Sequence, residues 1–352
     1  MMDRTGLLMA DISIIPLTEI DPSLTAGIFD EQCREWISKL RWDYTEPSRL
    51  LRSVLRRGEL TGLVAVVHPE IADPEIAGPS VKHGHRAGGT AAGFTFYVVE
   101  GTRASIGDIY VSQPYREAGV ARQLTLAILS KLDPLPRLRR IESQSVTFEN
   151  QDADEVFVAR GFERFERRFM LANLLSEESP QESLDRAARH APAQGTITIR
   201  PWREDDYGGA VRTIFRSYRG EDDSRINSQY GSEEGCAELL SILTDTVWCG
   251  QFLPEASRVA ACSVTGNQVG VLIASRMSAD TAHLGQISVL PAYQGKGLGR
   301  GLIESAKAEL CRRSFAFASL AVTATNKRAV SLYESCGFST IHSFPVYYWR
   351  RK

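Results

Sequence analysis

Three glycines spaced two residues apart, Gly295, Gly297 and Gly299, follow an apolar stretch with the alternation of a strand. Because glycine has no side chain, successive backbone N–H groups in such a turn can point into one concave surface. Apolar residues after the turn recur at helical spacing, and a helix that begins there adds the positive end of its dipole. With Lys296 and Arg300 beside them, these residue types at this spacing predict a seat for a phosphate or diphosphate.

The turn lacks the marks of two other glycine-rich nucleotide sites. A nucleoside-triphosphate P-loop has Ser or Thr directly after its Gly-Lys pair, whereas Gly297 follows Lys296 here. A dinucleotide site has an acidic residue about twenty positions further on, whereas residues 316–324 are all neutral. The sequence therefore favours a phosphate-bearing ligand of a third kind.

The residues from Gln294 to Gly299 resemble the Gln/Arg-x-x-Gly-x-Gly/Ala motif of the GNAT superfamily of N-acetyltransferases. A second signature of that superfamily follows, in which Asn326 precedes Tyr333 and the pair Gly337-Phe338. The resemblance implies that the chain uses acetyl-coenzyme A as co-substrate and needs no metal. The residues that it places against the coenzyme are Ile287, Ser288, Val289, Gln294, Gly295, Lys296, Gly297, Leu298, Gly299, Arg300 and Asn326.

The same pattern occurs once more, earlier in the chain. The stretch from Val111 to Ala121 is repeated from Val289 to Gly299, and Arg116 corresponds to Gln294 at an offset of 294 − 116 = 178 positions. The asparagine and the Gly-Phe pair of the second signature also recur. A second set of coenzyme contacts is therefore expected at Val111, Arg116, Gly119, Val120, Ala121 and Asn150.

Strand and helix patterns follow one another in the same order in both halves, and these elements must position the two turns. We therefore predict two tandem GNAT-like domains, over residues 1–175 and 196–352, joined by the polar, proline-containing linker 176–195. By resemblance, each domain is a mixed α/β (α+β) fold with a mostly antiparallel central sheet, helices on both faces and a splayed strand pair at the coenzyme site. This tandem organisation is similar to that of mycothiol synthase.

The second half carries the candidate general acid. Tyr333 lies seven residues beyond Asn326, two helical turns along one face, and by resemblance its hydroxyl would lie near the sulfur of the coenzyme. Passing a proton from a phenol to a thiolate is uphill by about 2 kcal/mol in water, which proximity can supply. A role as a packed core residue is the alternative for this tyrosine.

A general base is harder to identify. Members of the superfamily often have a glutamate on the strand before the turn, but this chain has Gly285 and Gln286 there. Gln286 would position a water that relays the proton, and His283 on the same strand is an alternative because histidine titrates near neutral pH. An acceptor amine of low pKa would need neither of them. By resemblance, the backbone N–H of Val289 would face the thioester carbonyl.

The first half departs from this pattern at two places. Phe157 stands where the second half has Tyr333, and it has no proton to donate. Glu117 puts a carboxylate where an anion would approach. We predict that the first half holds the coenzyme at most, catalyses little, and has a structural or regulatory role. Phe157, together with the absence of a glutamate on the strand before the second turn, leaves a second hypothesis open, a non-catalytic acyl-coenzyme A sensor or assembly module.

Composition limits the partners. A net charge of −2 over 352 residues argues against binding to nucleic acid, and no stretch approaches the roughly twenty apolar residues of a membrane-spanning helix. The chain is therefore expected to be cytoplasmic and to bind neither nucleic acid nor membrane. Six cysteines stand singly, which predicts neither disulfides nor a zinc site. The run His83-Gly84-His85 lies in a proline- and glycine-rich insertion and is more typical of a solvated loop than of a metal site.

The acceptor is the least defined part of the prediction. The resemblance implies a small-molecule primary amine that attacks the thioester directly in a ternary complex. Glu221, Asp222 and Asp223 would attract a cationic amine, or they form a solvated loop. Protein amino termini and lysines stay open as acceptors, and so does oligomer formation.

Overall fold

The chain forms two compact units in the computed structural model, which describes residues 11–68, 89–144, 146, 151–175 and 197–351. Unit 1 consists of Met1–Trp36, Ser48–Arg164 and Pro345–Lys352, and unit 2 consists of Ile37–Pro47 and Phe165–Phe344. Three features singled out in the sequence lie outside the described residues, namely Asn150, the His83-Gly84-His85 run and the linker 176–195. The division at that linker therefore stays a prediction.

Unit 1 is built around one sheet. Its elements are β1 (Asp11–Pro16), most of α1 (Pro22–Leu40), most of α2 (Thr45–Arg56), β2 (Thr61–His68), β3 (Thr90–Glu100), β4 (Arg103–Ile106), β5 (Tyr110–Val111), α3 (Val120–Leu132), β6 (Arg140–Gln144) and α4 (Gln151–Ala159). The strand order is β1-β2-β3-β4-β6, with β5 beside β3. The pairs are antiparallel except for β4 and β6, which are parallel.

Unit 2 repeats this plan. Its elements are β7 (Glu163–Asn173), β8 (Ile197–Pro201), α5 (Tyr207–Ser217), α6 (Asp222–Ile226), α7 (Glu233–Asp245), β9 (Gln251–Phe252), β10 (Arg258–Cys262), β11 (Gln268–Arg276), β12 (Thr281–Val289), α8 (Leu298–Arg312), β13 (Phe317–Thr323), α9 (Lys327–Ser335) and the first part of β14 (Ser339–Arg350). The strand order is β7-β13-β12-β11-β10-β8, with β9 beside β11. Here β12 and β13 are the parallel pair, and the other pairs are antiparallel.

Two strands, β7 and β14, belong to a different sheet from the one that the sequence repeats predict for them. Strand β7 follows the repeat of the first half, yet its residues 167–173 pair with β13 of unit 2. The end of β14 follows the repeat of the second half, yet its residues 346–350 pair with β6 of unit 1. Each sheet therefore contains a strand from beyond the boundary that the repeats predict.

Helices cover both faces of the sheet in unit 2 because strand side chains alternate between the faces. On β11, Leu272 and Ala274 belong to one apolar cluster with residues of α8, whereas Val271 and Ile273 belong to another with residues of α5 and α7. Leu302 on the inner side of α8 is fully buried, as the spacing of the apolar residues predicts. The sheet is thus the middle layer of unit 2.

The predicted fold class is confirmed, since each unit is a mixed α/β fold with a mostly antiparallel sheet. The search for membrane spans covered the described residues, and none of their helices combines the length and apolar character needed to cross a bilayer. In the same part of the chain, no three His, Cys, Asp or Glu side chains are grouped so that they could hold a metal ion.

Candidate functional site

The parallel strands β12 and β13 separate partway along their length. In the described strands, the pairing runs over residues 281–283 of β12 and 317–319 of β13. Further along β12, a register shift against β11 between Leu284 and Gln286 makes Gly285 a bulge. The separation opens a cleft in the sheet of unit 2, which is the splayed pair that the sequence resemblance implies.

The glycine turn follows directly after β12. Gly295 and Gly297 have φ angles of 72° and 82°, a left-handed conformation that residues with side chains rarely adopt. Gly297 is the cap residue before Leu298, where α8 begins. The first N–H groups of a helix have no acceptor within the helix, so the start of α8 presents donors together with the positive end of its dipole. This backbone geometry suits an anion.

Gln294 closes the turn onto the end of β12. Its carboxamide Nε2 donates to the carbonyl oxygen of Val289 at 2.8 Å. The backbone N–H of Leu290 donates to Val269 of β11 at 2.9 Å. Because the backbone groups of successive strand residues point to opposite edges, the N–H of Val289 points away from β11 and toward the cleft. A donor to a ligand carbonyl needs that orientation.

A cavity of about 320 Å³ occupies the cleft. Most of the residues predicted to contact the coenzyme lie in its wall, together with the candidate general acid. They are Ile287, Ser288, Val289, Gln294, Gly295, Gly297, Gly299, Arg300, Asn326 and Tyr333. The structure thus brings the strand end, the turn, the start of α8 and the buried side of α9 to one continuous surface.

Two predicted contacts have side chains directed elsewhere. Leu298 is 2% exposed and belongs to the core of unit 2. Lys296 is exposed on the turn, with its ammonium 5.9 Å from the ring centroid of Tyr293. Any contact of Leu298 with a ligand in the cavity would therefore come from its backbone N–H.

Arg300 and Asn326 each have a structural contact besides their place in the wall. The Arg300 guanidinium donates to the carbonyl and hydroxyl oxygens of Ser335 at 3.1 and 2.6 Å, which ties α8 to α9. The Oδ1 of Asn326 accepts from the backbone N–H of Ala329 at 3.0 Å and caps α9. Since the cap uses this oxygen, Asn326 presents mainly its N–H donors to a ligand.

Tyr333 is both a core residue and part of the cavity wall. It is 9% exposed, and its ring lies 6.3 Å from that of Phe338. Burial, followed by the influence of Tyr218 and Asp223, raises the pKa of its phenol well above the usual range, while Arg167 opposes the rise. The hydroxyl therefore stays protonated at physiological pH, as a proton donor must. A thiol desolvated in the same cavity would have its own pKa raised as well.

Gln286 lies behind the wall, and its carboxamide is engaged at both ends. It is 2% exposed. The hydroxyl of Tyr230 donates to its Oε1 at 3.0 Å, and its Nε2 donates to the hydroxyl of Ser288 at 2.8 Å. Tyr230 stacks on Tyr218, with ring centroids 3.9 Å apart and planes within 4°. Gln286 thus orients Tyr230, and both Tyr230 and Tyr218 line the cavity. The role of Gln286 in positioning a water stays a prediction.

His283, the alternative base, lies in an aromatic cluster. Its ring centroid is 4.7 Å from that of Trp42 and 6.1 Å from that of Phe169, and its Nδ1 is 3.0 Å from the hydroxyl of Ser319. Burial and the positive charge of Arg167 lower its pKa to about 3. His283 is therefore neutral near pH 7 and too weak a base to take a proton from an amine.

The predicted carboxylates do not form one group. Glu221 and Asp223 line the cavity. The Oδ1 of Asp223 accepts from the hydroxyl of Thr323 at 2.7 Å, which anchors it to β13. Asp222 accepts from the hydroxyl of Thr325 at 2.8 Å instead. Two of the three carboxylates are therefore placed to act on a ligand.

Arg167 also lines the cavity, and sequence reasoning missed it. The residue lies on β7, which follows the repeat of the first half, so no local pattern links it to a pocket of the second. Its position results from the pairing of β7 with β13, in which Arg167 stands opposite Thr323.

Unit 1 has the same turn with a different closing residue. The Nε of Arg116 donates to the carbonyl oxygen of Val111 at 3.2 Å, the contact that Gln294 makes in unit 2. Gly119 has a φ of 71° and caps α3. The apolar residues predicted to contact a coenzyme there are fully buried in the core, namely Val111, Val120 and Ala121. The backbone of the repeat is thus kept, while these side chains serve packing.

Carboxylates of α1 surround the turn of unit 1. Glu35 forms an ion pair with Arg116. Glu31 accepts from the backbone N–H of Gln113 at 2.7 Å and from the hydroxyl of Ser112 at 2.8 Å. Two carboxylates therefore lie beside the turn of unit 1, where they would repel a phosphate.

Phe157, the counterpart of Tyr333, is part of the core of unit 1. It is 1% exposed and stacks on Tyr347, with ring centroids 4.3 Å apart and planes at 17°. This position therefore has a packing role in unit 1.

A sequence profile of the acetyltransferase (GNAT) family matches residues 31–162 and 224–338. The ribosomal protein bS18-alanine N-acetyltransferase of Escherichia coli strain K12 is 48% identical over 60 residues, which are 17% of this chain and 40% of that protein. An uncharacterized N-acetyltransferase of Archaeoglobus fulgidus is 31% identical over 139 residues, which are 40% of this chain and 90% of that protein. The chain thus spans less than half the length of the first of these relatives.

Solved structures of similar fold include tandem proteins. A GCN5-related N-acetyltransferase from Sphaerobacter thermophilus matches with a TM-score of 0.62 at 15% identity, over 96% of this chain and 95% of that one. A tandem GNAT protein from the clavulanic acid biosynthesis pathway matches with a TM-score of 0.54 at 14% identity, over 97% of this chain and 98% of that one. At these identities the likeness concerns the fold.

Proposed function

This chain belongs to the acetyltransferase (GNAT) family, and on that premise we propose that it transfers an acetyl group from acetyl-coenzyme A to a primary amine of a small molecule. The amine attacks directly in a ternary complex, and the chemistry takes place in unit 2. The observation that carries the proposal is the cavity whose wall includes both the glycine turn and Tyr333. A phosphate-bearing acyl carrier needs an anion seat at its diphosphate and a proton donor at its acyl end, and one cavity wall holds a candidate for each.

The residues of unit 2 suit acetyl-coenzyme A. A Cβ built on Gly295 would meet nothing within 4 Å, so the turn is open to an approaching diphosphate. The N–H donors of Asn326 suit the amide carbonyls of a pantetheine arm. When bound, the coenzyme supplies an acetyl group activated as a thioester.

The residues of the chain supply hydrogen bonds and a proton. The N–H of Val289 stabilises negative charge on the acyl oxygen, a contribution of about 3 kcal/mol for one such donor. Tyr333 holds a proton at its hydroxyl for the departing sulfur. The hydroxyl oxygens of Tyr218 and Tyr230 accept hydrogen bonds from the attacking amine. The amine proton passes to solvent, and solvent reprotonates Tyr333 after the sulfur has departed.

We assign unit 1 a structural or regulatory role. Glu31 and Glu35 place two carboxylates beside its turn, where they would repel an anion, and Phe157 has no proton to donate. These contacts support weak coenzyme binding or none in unit 1. They leave unit 2 as the catalytic unit of the proposal.

The chemical class of the acceptor is proposed from the residues of the site, because the relatives match too little of the chain to identify it. The Escherichia coli relative is named for an alanine of ribosomal protein bS18, but its match covers 60 residues. A peptide amino terminus is therefore the second acceptor class to be tested, after small amines. The similarity to mycothiol synthase stays a prediction. We also propose a cytoplasmic location, where acetyl-coenzyme A is supplied.

The alternative of a non-catalytic sensor is not favoured. The matched relatives are named as N-acetyltransferases, and unit 2 keeps both the open turn and the tyrosine. The losses that suggested a sensor are confined to unit 1 and to the missing strand glutamate.

Release of free thiol from acetyl-coenzyme A, measured against a panel of primary amines and peptides with an amino-terminal alanine, tests the proposal. We expect release that depends on at least one acceptor, with an acetylated product identified by mass spectrometry. Tight binding of acetyl-coenzyme A with no release against any acceptor would support the sensor and overturn the enzyme activity.

A further inference from the structure

Arg167 and Asp223 bring opposite charges to one cavity of unit 2. Both line its wall, and so does Glu221. Arg167 comes from the sheet, on β7, whereas Asp223 comes from α6. A ligand in this cavity therefore meets a cation on one element and carboxylates on another.

The alternation of β7 places Arg167 on the face that α6 covers. Phe165, Arg167 and Phe169 are spaced two residues apart and share one face of the strand. The guanidinium of Arg225, on α6, lies 5.4 Å from the ring centroid of Phe165. Phe169 lies on the same face, against His283. Arg167 is therefore on the face opposite α8, whose first turn forms the anion seat.

The two charges act on the same phenols. For both Tyr230 and Tyr333, burial is the largest cause of a raised pKa, Asp223 adds to the rise and Arg167 opposes it. Arg167 and Asp223 line the same cavity as these two tyrosines, beside which the amine must react.

We propose that the acceptor carries an anionic group, a carboxylate or a phosphate, besides the amine that is acetylated, and that Arg167 binds this group. The inference rests on the proposed function and names its substrate class. Asp223 and Glu221 attract the ammonium end and repel the anionic end, while Arg167 does the reverse. One orientation of such an acceptor is therefore favoured over the other.

The chemistry of arginine suits this role. A guanidinium has five N–H donors in a planar fork that matches two oxygens of a carboxylate or phosphate. One contact of Arg167 is the donation from Nη2 to the carbonyl of Ala321 at 3.4 Å. That contact holds the side chain against β13, beside the cavity. A binding experiment separates a role in recognition from a role in the packing of β7 alone.

The test compares three amines of similar length, propylamine, β-alanine and O-phosphoethanolamine. Their affinities are measured by NMR titration of the full chain saturated with coenzyme A, which has no acetyl group to transfer. We expect at least one of the two anionic amines to bind at least tenfold more tightly than propylamine. The one that binds more tightly identifies the anionic group.

Substitutions on β7 and α6 test whether Arg167 causes the preference for anionic amines. Arg167→Gln should abolish the preference, and Arg167→Lys should keep part of it. Propylamine, whose ammonium Arg167 repels, should bind Arg167→Gln at least as tightly as it binds the unmodified chain. Arg168→Gln, on the opposite face of the same strand, is the matched control and should keep the full preference. Asp223→Asn should weaken binding of all three amines alike.

Equal affinities of the three amines for the unmodified chain would overturn the inference, and so would a preference that survives in Arg167→Gln. The comparison on the unmodified chain stands even if Arg167→Gln does not fold. Because the measurement involves no turnover, its outcome is independent of the thiol-release assay. If the protein acetylates amines without any preference for an anionic group, the proposed function holds and this inference is wrong.

Discussion

Gln294 and Val289 are joined by a hydrogen bond of 2.8 Å, from the carboxamide Nε2 to the backbone carbonyl, across the turn that follows β12. The N–H and carbonyl of one strand residue point to the same edge, so this bond fixes the edge from which the Val289 N–H emerges. Arg116 makes the same contact with Val111 in unit 1. A carboxamide and a guanidinium therefore close the turn in the same way.

The first prediction concerns this closing contact. Gln294→Arg should leave the KM for acetyl-coenzyme A within about threefold, because arginine makes the bond in unit 1. Gln294→Leu should raise that KM about tenfold, since losing one hydrogen bond costs about 1 kcal/mol and frees the turn. Steady-state kinetics measure both values. A leucine variant with an unchanged KM would show that the contact does not organise the coenzyme site.

The second prediction uses the repeat as its own control. Gly297→Ala and Gly119→Ala each force a side chain into the left-handed region, which costs about 1–2 kcal/mol, and should lower the thermal midpoint similarly. Only Gly297→Ala should weaken coenzyme binding in calorimetry. Weakened binding in Gly119→Ala would place the coenzyme in unit 1.

The third prediction concerns the proton donor. Tyr333→Phe should lower kcat about 100-fold, the size of a lost general acid. Coenzyme affinity and thermal midpoint should change little, because phenylalanine fills nearly the same space. Tyr293→Phe, at the exposed turn, is the control and should keep full turnover. A fully active Tyr333→Phe would reduce that tyrosine to its packing role.

The fourth prediction follows from His283. Its pKa of about 3 in the folded chain lies below the value of about 6.5 in an unfolded chain. The unfolded state therefore binds more protons, and stability is lost as the pH falls from about 6.5 toward 3. Between pH 7 and pH 5 this residue should account for about 2 kcal/mol of lost unfolding free energy. Urea unfolding of His283→Gln should show that much less loss, and an equal loss in both proteins would mean that the histidine titrates normally.

The fifth prediction concerns β7. A fragment of residues 196–352 leaves one edge of β13 open, whereas a fragment of residues 163–352 contains its partner. The longer fragment should show slower amide hydrogen exchange in β13 and less aggregation. Equal protection in the two fragments would mean that β7 contributes nothing to the sheet of unit 2.

The parts of the site that the sequence predicted are those encoded locally. The spacing of Gly295 and Gly297 specifies a left-handed turn, and the distance from Asn326 to Tyr333 specifies one face of a helix. Both patterns involve residues only a few positions apart, so they can be identified from the sequence without the structure.

The parts that the sequence did not predict depend on long-range pairing. Arg167 reaches the cavity because β7 pairs with β13, and the repeat gave no sign of that pairing. The hydrogen bond that Gln286 accepts from Tyr230 joins residues 56 positions apart, so no local pattern predicts it. Burial and the charge of Arg167 lower the pKa of His283. Neither cause can be predicted from the sequence of the strand that carries His283.

The pairing of β14 with β6 also sets the order in which unit 1 can mature on the ribosome. From Gln144, the end of β6, to Val346 opposite it, translation must add 346 − 144 = 202 residues, a delay of roughly 10–40 s at common elongation rates. During that delay the growing chain presents an open strand edge, a template for association with other chains. We therefore expect the nascent protein to need protection by a chaperone until β14 emerges, although the amino-terminal sequence is made first.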